Sequence, residues 1–123
     1  MPKQIIGTIP GVPIAKATKA GAYIFLSGQI GSVDDKGNEL KGIEAQTRQA
    51  MENMKGLLKE AGASMSDVVK VTVFLVNVND FAKMNEVYKS SFTEDYPARS
   101  TVVVAALARP EVLVEIEAIA YRP

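Results

Sequence analysis

The chain reads as an α+β domain: a mixed sheet of about six strands with two helices packed on one face. Three observations predict this. Runs of β-branched or alternating apolar residues occur at both ends and in the middle of the chain. Helical apolar spacing is confined to two stretches, 43–61 and 81–92. The resulting order, β-β-β-α-β-α-β-β, groups strands in runs instead of alternating them strictly with helices. A chain of 123 residues, numbered 1–123, makes a single domain.

In order, Ile5, Ile6 and Ile9 among Gly and Pro mark a first strand over 3–8, closed by Pro10-Gly11. Residues 14–20 alternate Ile14, Lys16, Thr18 and Ala20 with Ala15, Ala17 and Lys19, a weaker strand. Gly21-Ala22 turns the chain into Tyr23-Ile24-Phe25-Leu26-Ser27, whose aromatic and β-branched content favours a strand. That strand ends in Ser27-Gly28-Gln29-Ile30-Gly31, where two glycines permit a sharp turn or the close approach of a ligand. It matches neither a P-loop nor a dinucleotide fingerprint, so it is not read as a phosphate cradle. Residues 33–38 form a polar, mobile turn.

The first helix, 43–61, aligns Ala50, Met54, Leu57, Leu58 and Ala61 on one face and stops at Gly62. Gly56 inside it costs up to ~1 kcal/mol against Ala, which points to close packing on the sheet. Ser64 to Asp67 turn the chain. Residues 68–76 form a strand with Val69, Val71, Val73 and Leu75 on an apolar face. Val68, Lys70, Thr72, Phe74 and Val76 take a mixed face. Asn79 or Asp80 caps the second helix, 81–92, which turns Phe81, Met84, Val87 or Tyr88, and Ser91 inward. Asn85 lies beside that stripe, and Asp95-Tyr96-Pro97 ends the helix.

The last quarter carries charge inside apolar strands. Arg99, Thr101, Val103 and Ala105 share one face of their run. In 112–121, Leu113, Glu115, Glu117, Ile119 and Tyr121 share a face, and Val112, Val114, Ile116, Ala118 and Ala120 take the other. Charged residues among residues that favour burial need partners, so chemistry is sought here. Two helices cover only one face of such a sheet, leaving an apolar patch on the other. A closed homo-oligomer follows as an expectation.

Composition removes several classes. Formal net charge is zero, so no basic excess exists to bind a polyanion. Cysteine and histidine are absent, which excludes thiolate chemistry, disulfides and His-based triads, and leaves no ordinary zinc ligand set. The start has no leader pattern and no apolar run approaches a membrane span, so the cytoplasm is the expected location.

Several stretches carry a resemblance. They are Ser27-Gly28-Gln29-Ile30, VKVTVF at 69–74, Asn79-Asp80-Phe81, the Asn85 and Tyr88 pair, Pro97-Ala98-Arg99-Ser100, and VEIEAIA at 114–120. Together they resemble, over nearly the whole chain, the RidA/YjgF (UK114, L-PSP) family of reactive-intermediate deaminases. The resemblance implies a chorismate-mutase-like α+β fold and a homotrimer with sites between subunits, using no metal and no organic cofactor. It implies hydrolysis of reactive 2-imino and enamine acids, such as 2-aminoacrylate, 2-iminopropanoate and 2-iminobutanoate, to 2-keto acids and ammonia, protecting PLP enzymes. Arg99 matches the substrate-carboxylate arginine and Glu115 the water-positioning glutamate. Ser27, Gly28, Asn85, Tyr88 and Thr101 complete the binding set, with Thr101 at a position commonly held by cysteine. Ile14 stands where many deaminating members carry a tyrosine, which bears on rate and substrate preference.

The residues agree with that implication. A guanidinium clamps a carboxylate bidentately and so fixes the C=N carbon in space. Glu115 among apolar neighbours suits a raised pKa and acid/base work, with Glu117 read as structural. A non-catalytic trimeric binder or sensor of small carboxylates such as 2-keto acids is the alternative. Neutral charge and the absence of histidine speak against a ribonuclease.

Overall fold

The computed structural model describes residues 2–93 and 95–123. Strands β1 (Gln4–Ile9), β2 (Val12–Ala20) and β3 (Tyr23–Ile30) form a meander. Helix α1 (Ile43–Glu60), β4 (Val68–Leu75), helix α2 (Phe81–Lys89), β5 (Ala98–Val103) and β6 (Val114–Tyr121) follow. The six strands make one sheet in the order β1-β2-β3-β6-β4-β5. Only β4 and β5 pair in parallel. The last strand therefore inserts between β3 and β4, at the centre of the sheet. Both helices are crossovers between strands of like direction, so both lie on one face, as the α+β reading expects.

The core lies between that face and the helices. Val114, Ile116, Ala118 and Ala120 of β6 are all buried, meeting Ile24 and Leu26 of β3 and Val71, Val73 and Leu75 of β4. Helix α1 seals them with Ala50, Met54, Leu57 and Leu58, the face its spacing predicts. The helix closes as expected: Gly62 adopts φ 83°, the Ala63 N–H bonds to Leu58 O, and the Gly62 N–H bonds to Lys59 O.

Four local expectations are corrected. Val69 is exposed, because the β4–β6 register slips between Val68 and Lys70 and both Val68 and Val71 turn to the core. Helix α2 takes its entry from Asn77, whose side chain accepts from the Asn79 N–H; Asp80 makes no side-chain cap. The 33–38 turn is a closed loop: the Asp34 carboxylate accepts from Lys36 N, Asn38 N and Asn38 Nδ2, which also lowers its pKa. Gly56 packs against nothing, since an added Cβ there would meet no atom within 4 Å. Gly31 is the glycine that packing requires: a Cβ there would lie 2.8 Å from Ala50 N and would also strike Gln46 O.

Gln46 holds the entry to β6. Its side chain is 1% exposed, donates to Leu40 O at 3.1 Å and Glu111 O at 2.9 Å, and accepts from Leu113 N at 2.8 Å. Gln46→Ala orphans these backbone groups in the interior and is expected to cost about 2–4 kcal/mol. Gly56→Ala should be neutral or stabilising by up to ~1 kcal/mol. Chemical denaturation of the two variants beside the parent protein checks both signs.

Candidate active site

The register decides which charged residues meet. In the parallel β4–β5 pair Arg99 lies opposite Val71 and Thr101 opposite Val73, and both valines are fully buried. Parallel partners point the same way, so Arg99 and Thr101 face the helices. In the antiparallel β4–β6 pair Glu115 lies opposite Phe74 and Glu117 opposite Thr72, out of phase with those valines. Both glutamates therefore occupy the opposite face. The sheet itself separates Arg99 from Glu115 within one chain.

On the helix face, Phe81, Asn85 and Tyr88 recur at helical spacing along α2. The Arg99 guanidinium lies 4.7 Å from the centroid of the Tyr88 ring and 5.8 Å from that of Phe81. Such cation–π contacts contribute about 0.5–2 kcal/mol and limit where the planar fork can point. No ion pair to Arg99 occurs among the described residues. Around it, Asn85 Oδ1, Tyr88 Oη and Thr101 Oγ1 are buried without a hydrogen-bond partner. Each unmet polar group costs about 1–3 kcal/mol, so three together mark a site awaiting a ligand, water or second chain. Burial pushes the Tyr88 phenol up, and the neighbouring Arg99 charge opposes that rise. Its ring is only 4% exposed and backs the guanidinium. The part played by Phe81 escapes the sequence reading, although its spacing from Asn85 and Tyr88 is the available signal.

On the other face, β3 bulges. Leu26 pairs with Ala118 and Gln29 with Ile116, so Ser27 and Gly28 together oppose the single Glu117. The bulge carries β3 past its expected end at Ser27 to Ile30 and brings the Gly28 backbone against Glu115. A Cβ on Gly28 would lie 2.7 Å from Glu115 Cδ and strike the carboxylate, so only glycine leaves that carboxylate its place. Ser27 Oγ donates to Ala15 O at 2.7 Å, tying β3 to β2. Ile14 is 47% exposed and lines a shallow cleft with Ser27 and Gly28 that runs round to Asn53 and Glu60 of α1 and leaves Glu115 outside its lining. The Glu115 carboxylate has no hydrogen bond or ion pair among the described residues. Burial raises its pKa and the Glu117 charge raises it further.

Two half-sites result. One joins Arg99, Asn85, Tyr88 and Thr101; the other joins Glu115, Gly28, Ser27 and Ile14. The face bearing the glutamates is also apolar and open: Tyr23, Phe25, Val102 and Tyr121 are each more than 40% exposed on it. The Tyr23 and Tyr121 rings pack at 5.1 Å. Among the described residues no group of three or more acidic side chains is placed to hold a metal ion. No described helix is long and apolar enough to cross a membrane.

The family model described as endoribonuclease L-PSP matches residues 9–122. The chain belongs to this family, the RidA/YjgF family of the sequence resemblance. A RutC family protein of Pyrococcus abyssi is 50% identical over 127 residues, covering 99% of each chain. A 2-iminobutanoate/2-iminopropanoate deaminase of Salmonella typhimurium is 44% identical over 114 residues, covering 89% of this chain and 88% of that one. The crystal structure of Escherichia coli TdcF with bound serine superposes with a TM-score of 0.88 at 41% identity, covering 98% of this chain and 99% of that one. The L-PSP fold is thus shared along the whole chain, and curated relatives include deaminases.

A raised carboxyl pKa carries a sign for stability. The folded state holds the Glu115 proton more tightly than the unfolded state, so stability falls as pH rises from the ordinary glutamate value of 4.5 through the raised midpoint. Above that midpoint the full cost persists. Glu115→Gln removes it, so the variant should melt at or above the parent temperature at pH 7. The gap should close as pH falls toward 4.5. Thermal unfolding across that pH series checks it.

Proposed function

We propose that this protein hydrolyses small 2-imino and enamine acids to 2-keto acids and ammonia, at sites built between the copies of a homotrimer. The supporting observation is the separation of Arg99 from Glu115 by the sheet, with three unmet polar groups buried around Arg99 and no ion pair to Glu115 among the described residues. A second copy laid on the open apolar face would supply the Arg99 half to the Glu115 half. It would also cover Tyr23, Phe25 and Tyr121, removing an exposed patch of the kind that marks interfaces. Curated relatives named as 2-iminobutanoate/2-iminopropanoate deaminases support the reaction class.

In this reading the Arg99 fork, set by Tyr88 and Phe81, grips the substrate carboxylate. Water adds to the carbon of the imine protonated on nitrogen as Glu115 takes one of the water protons, giving a neutral tetrahedral carbinolamine. The C–N bond then breaks and the C=O bond forms, the hydroxyl proton passing to solvent. Nitrogen receives the Glu115 proton and departs as ammonia. A carboxyl whose pKa is raised by burial and by the Glu117 charge suits both transfers. Thr101 and Ser27 supply hydroxyls to substrate or water. The cellular role in this reading is cytoplasmic removal of reactive intermediates that would damage PLP enzymes. The non-catalytic reading keeps one specific support: Ile14 offers no hydroxyl beside Ser27 and Gly28.

Imines generated in situ by a dehydratase, with semicarbazide trapping of what remains, measure the reaction. Arg99→Ala should abolish 2-ketobutyrate binding and turnover together. Glu115→Gln should keep binding and lose ~10²–10⁴ in rate. Refolded as a one-to-one mixture, the two inactive variants should regain activity, because roughly one site in four then joins an intact arginine to an intact glutamate of another copy. A mixture as inactive as its components would remove the shared site. Keto-acid binding by a parent protein that accelerates nothing would favour the sensor.

The Tyr88 platform has its own signature. Tyr88→Phe keeps the ring under Arg99 and should leave the affinity for 2-ketobutyrate within about threefold, whereas Tyr88→Leu removes the cation–π contact and should weaken it roughly fivefold or more. Calorimetric titration of both variants measures this.

A further inference from the structure

Glu117 is the charged neighbour of Glu115 that the proposed chemistry leaves without a task. The two carboxylates project from one face of β6 two residues apart, about 7 Å along the pleat. On the flanking elements charged groups are few: Lys16 of β2, with Asp35 and Glu60, lines the cleft beside Ser27 and Gly28, and no ion pair joins it to either glutamate. From β3 come Ser27, Gly28 and Ile30, none of them charged. From β4 come Phe74 and Thr72, with Lys70 one rung beyond Glu117 opposite Ile119. From β5 come Ser100 and Val102. Lys70 is engaged elsewhere, its Nζ donating to Ser100 Oγ at 2.8 Å. No ion pair to either glutamate occurs among the described residues. The β3 bulge adds to this: the residues opposing Glu117 are a serine bonded to Ala15 O and a glycine with no side chain. Glu117 itself is exposed to solvent, and no charged side chain on that rung stands between the two carboxylates.

We infer that Glu117 is a positioning carboxylate for the proposed deaminase, its uncompensated charge keeping a proton on Glu115 for delivery to the departing nitrogen. The inference rests on the reaction proposed above. Its physical basis is like-charge repulsion between neighbours on one strand face, which disfavours ionising both. A second copy covering this face would exclude water and strengthen the effect. Glu117 touches no reacting atom, so its loss should displace the pH dependence without abolishing the rate.

Glu117→Gln and Glu117→Asp test it against Glu115→Gln. The limb of the pH–rate profile that Glu115→Gln removes belongs to Glu115. In Glu117→Gln that limb should move to lower pH, and in Glu117→Asp it should return towards the parent position. The loss at the optimum should stay under about tenfold, against the ~10²–10⁴ expected for removing the acid/base group itself. Affinity for 2-ketobutyrate should not change. A second readout needs no turnover: the ¹³C shift of the Glu115 carboxyl, assigned by its absence in Glu115→Gln, should titrate at lower pH in Glu117→Gln. If the parent hydrolyses no imine, the proposed reaction fails and this titration alone decides the inference. An unmoved Glu115 midpoint overturns it, whether or not ligand affinity falls.

Discussion

The arrangement depends on one geometric constraint: a pleated strand sends adjacent side chains to opposite faces, and the core claims one of them. Strand β6 is the central case. Val114, Ile116, Ala118 and Ala120 seal the interior between β3 and β4, so Glu115 and Glu117 have no choice but the open face. Arg99 is bound by the same rule through β5, where its rung partner Val71 is a core residue. Interior packing of one chain thus dictates that the cation and the carboxylates look in opposite directions. Relieving this by a one-residue slip would put a glutamate in the core and a valine in water, at a cost no single contact offsets.

Regular structure gives way at several places, and two of them lie next to these residues. The β3 bulge spends two residues against one, and Gly28 gives up a side chain so that the Glu115 carboxylate can lie on its backbone. On the other face, three buried polar atoms around Arg99 go without partners. Elsewhere Gln46 satisfies three backbone groups, while its neighbour Thr47 also buries an unpartnered hydroxyl. Unpartnered polar atoms beside a free guanidinium, and a bulge beside a half-buried carboxylate, are of the kind that ligand-binding surfaces carry.

Much of this is legible from residue order. The two helices, the six strands and the buried phase of β6 follow from spacing alone, because burial and periodicity coincide there. Arg99, Glu115 and Gly28 stand out as charges and a glycine where apolar or branched residues would be expected. What residue order does not carry is the phase of one strand relative to another. Whether Arg99 and Glu115 share a face depends on pairing partners and bulges, and β6 pairs with strands distant in the chain. The same gap misplaces Val69, whose apolar alternation is broken by the slip between Val68 and Lys70. It also ends β3 early, since Gln29 and Ile30 are strand only because β6 pairs with them beyond the bulge. The role of Gly56 is misjudged for a simpler reason: a glycine in a helix does not disclose whether space beside it is filled.

Splitting the charges between faces has a chemical consequence. Were Arg99 and Glu115 neighbours within one chain, each would be the other's natural partner. The guanidinium would be occupied, and the carboxylate would be held ionised, its pKa driven down. Such a pair binds no substrate carboxylate and carries no proton to ammonia. With the sheet between them, Arg99 rests on aromatic rings, which attract a cation without neutralising it. Glu115 instead meets burial and a second carboxylate, both of which favour its protonated form. In the proposed reaction the two groups need to meet only across a substrate whose own carboxylate already engages the arginine. There the substrate, and not the glutamate, neutralises Arg99, and the glutamate stays free to take a proton from water and hold it until nitrogen leaves.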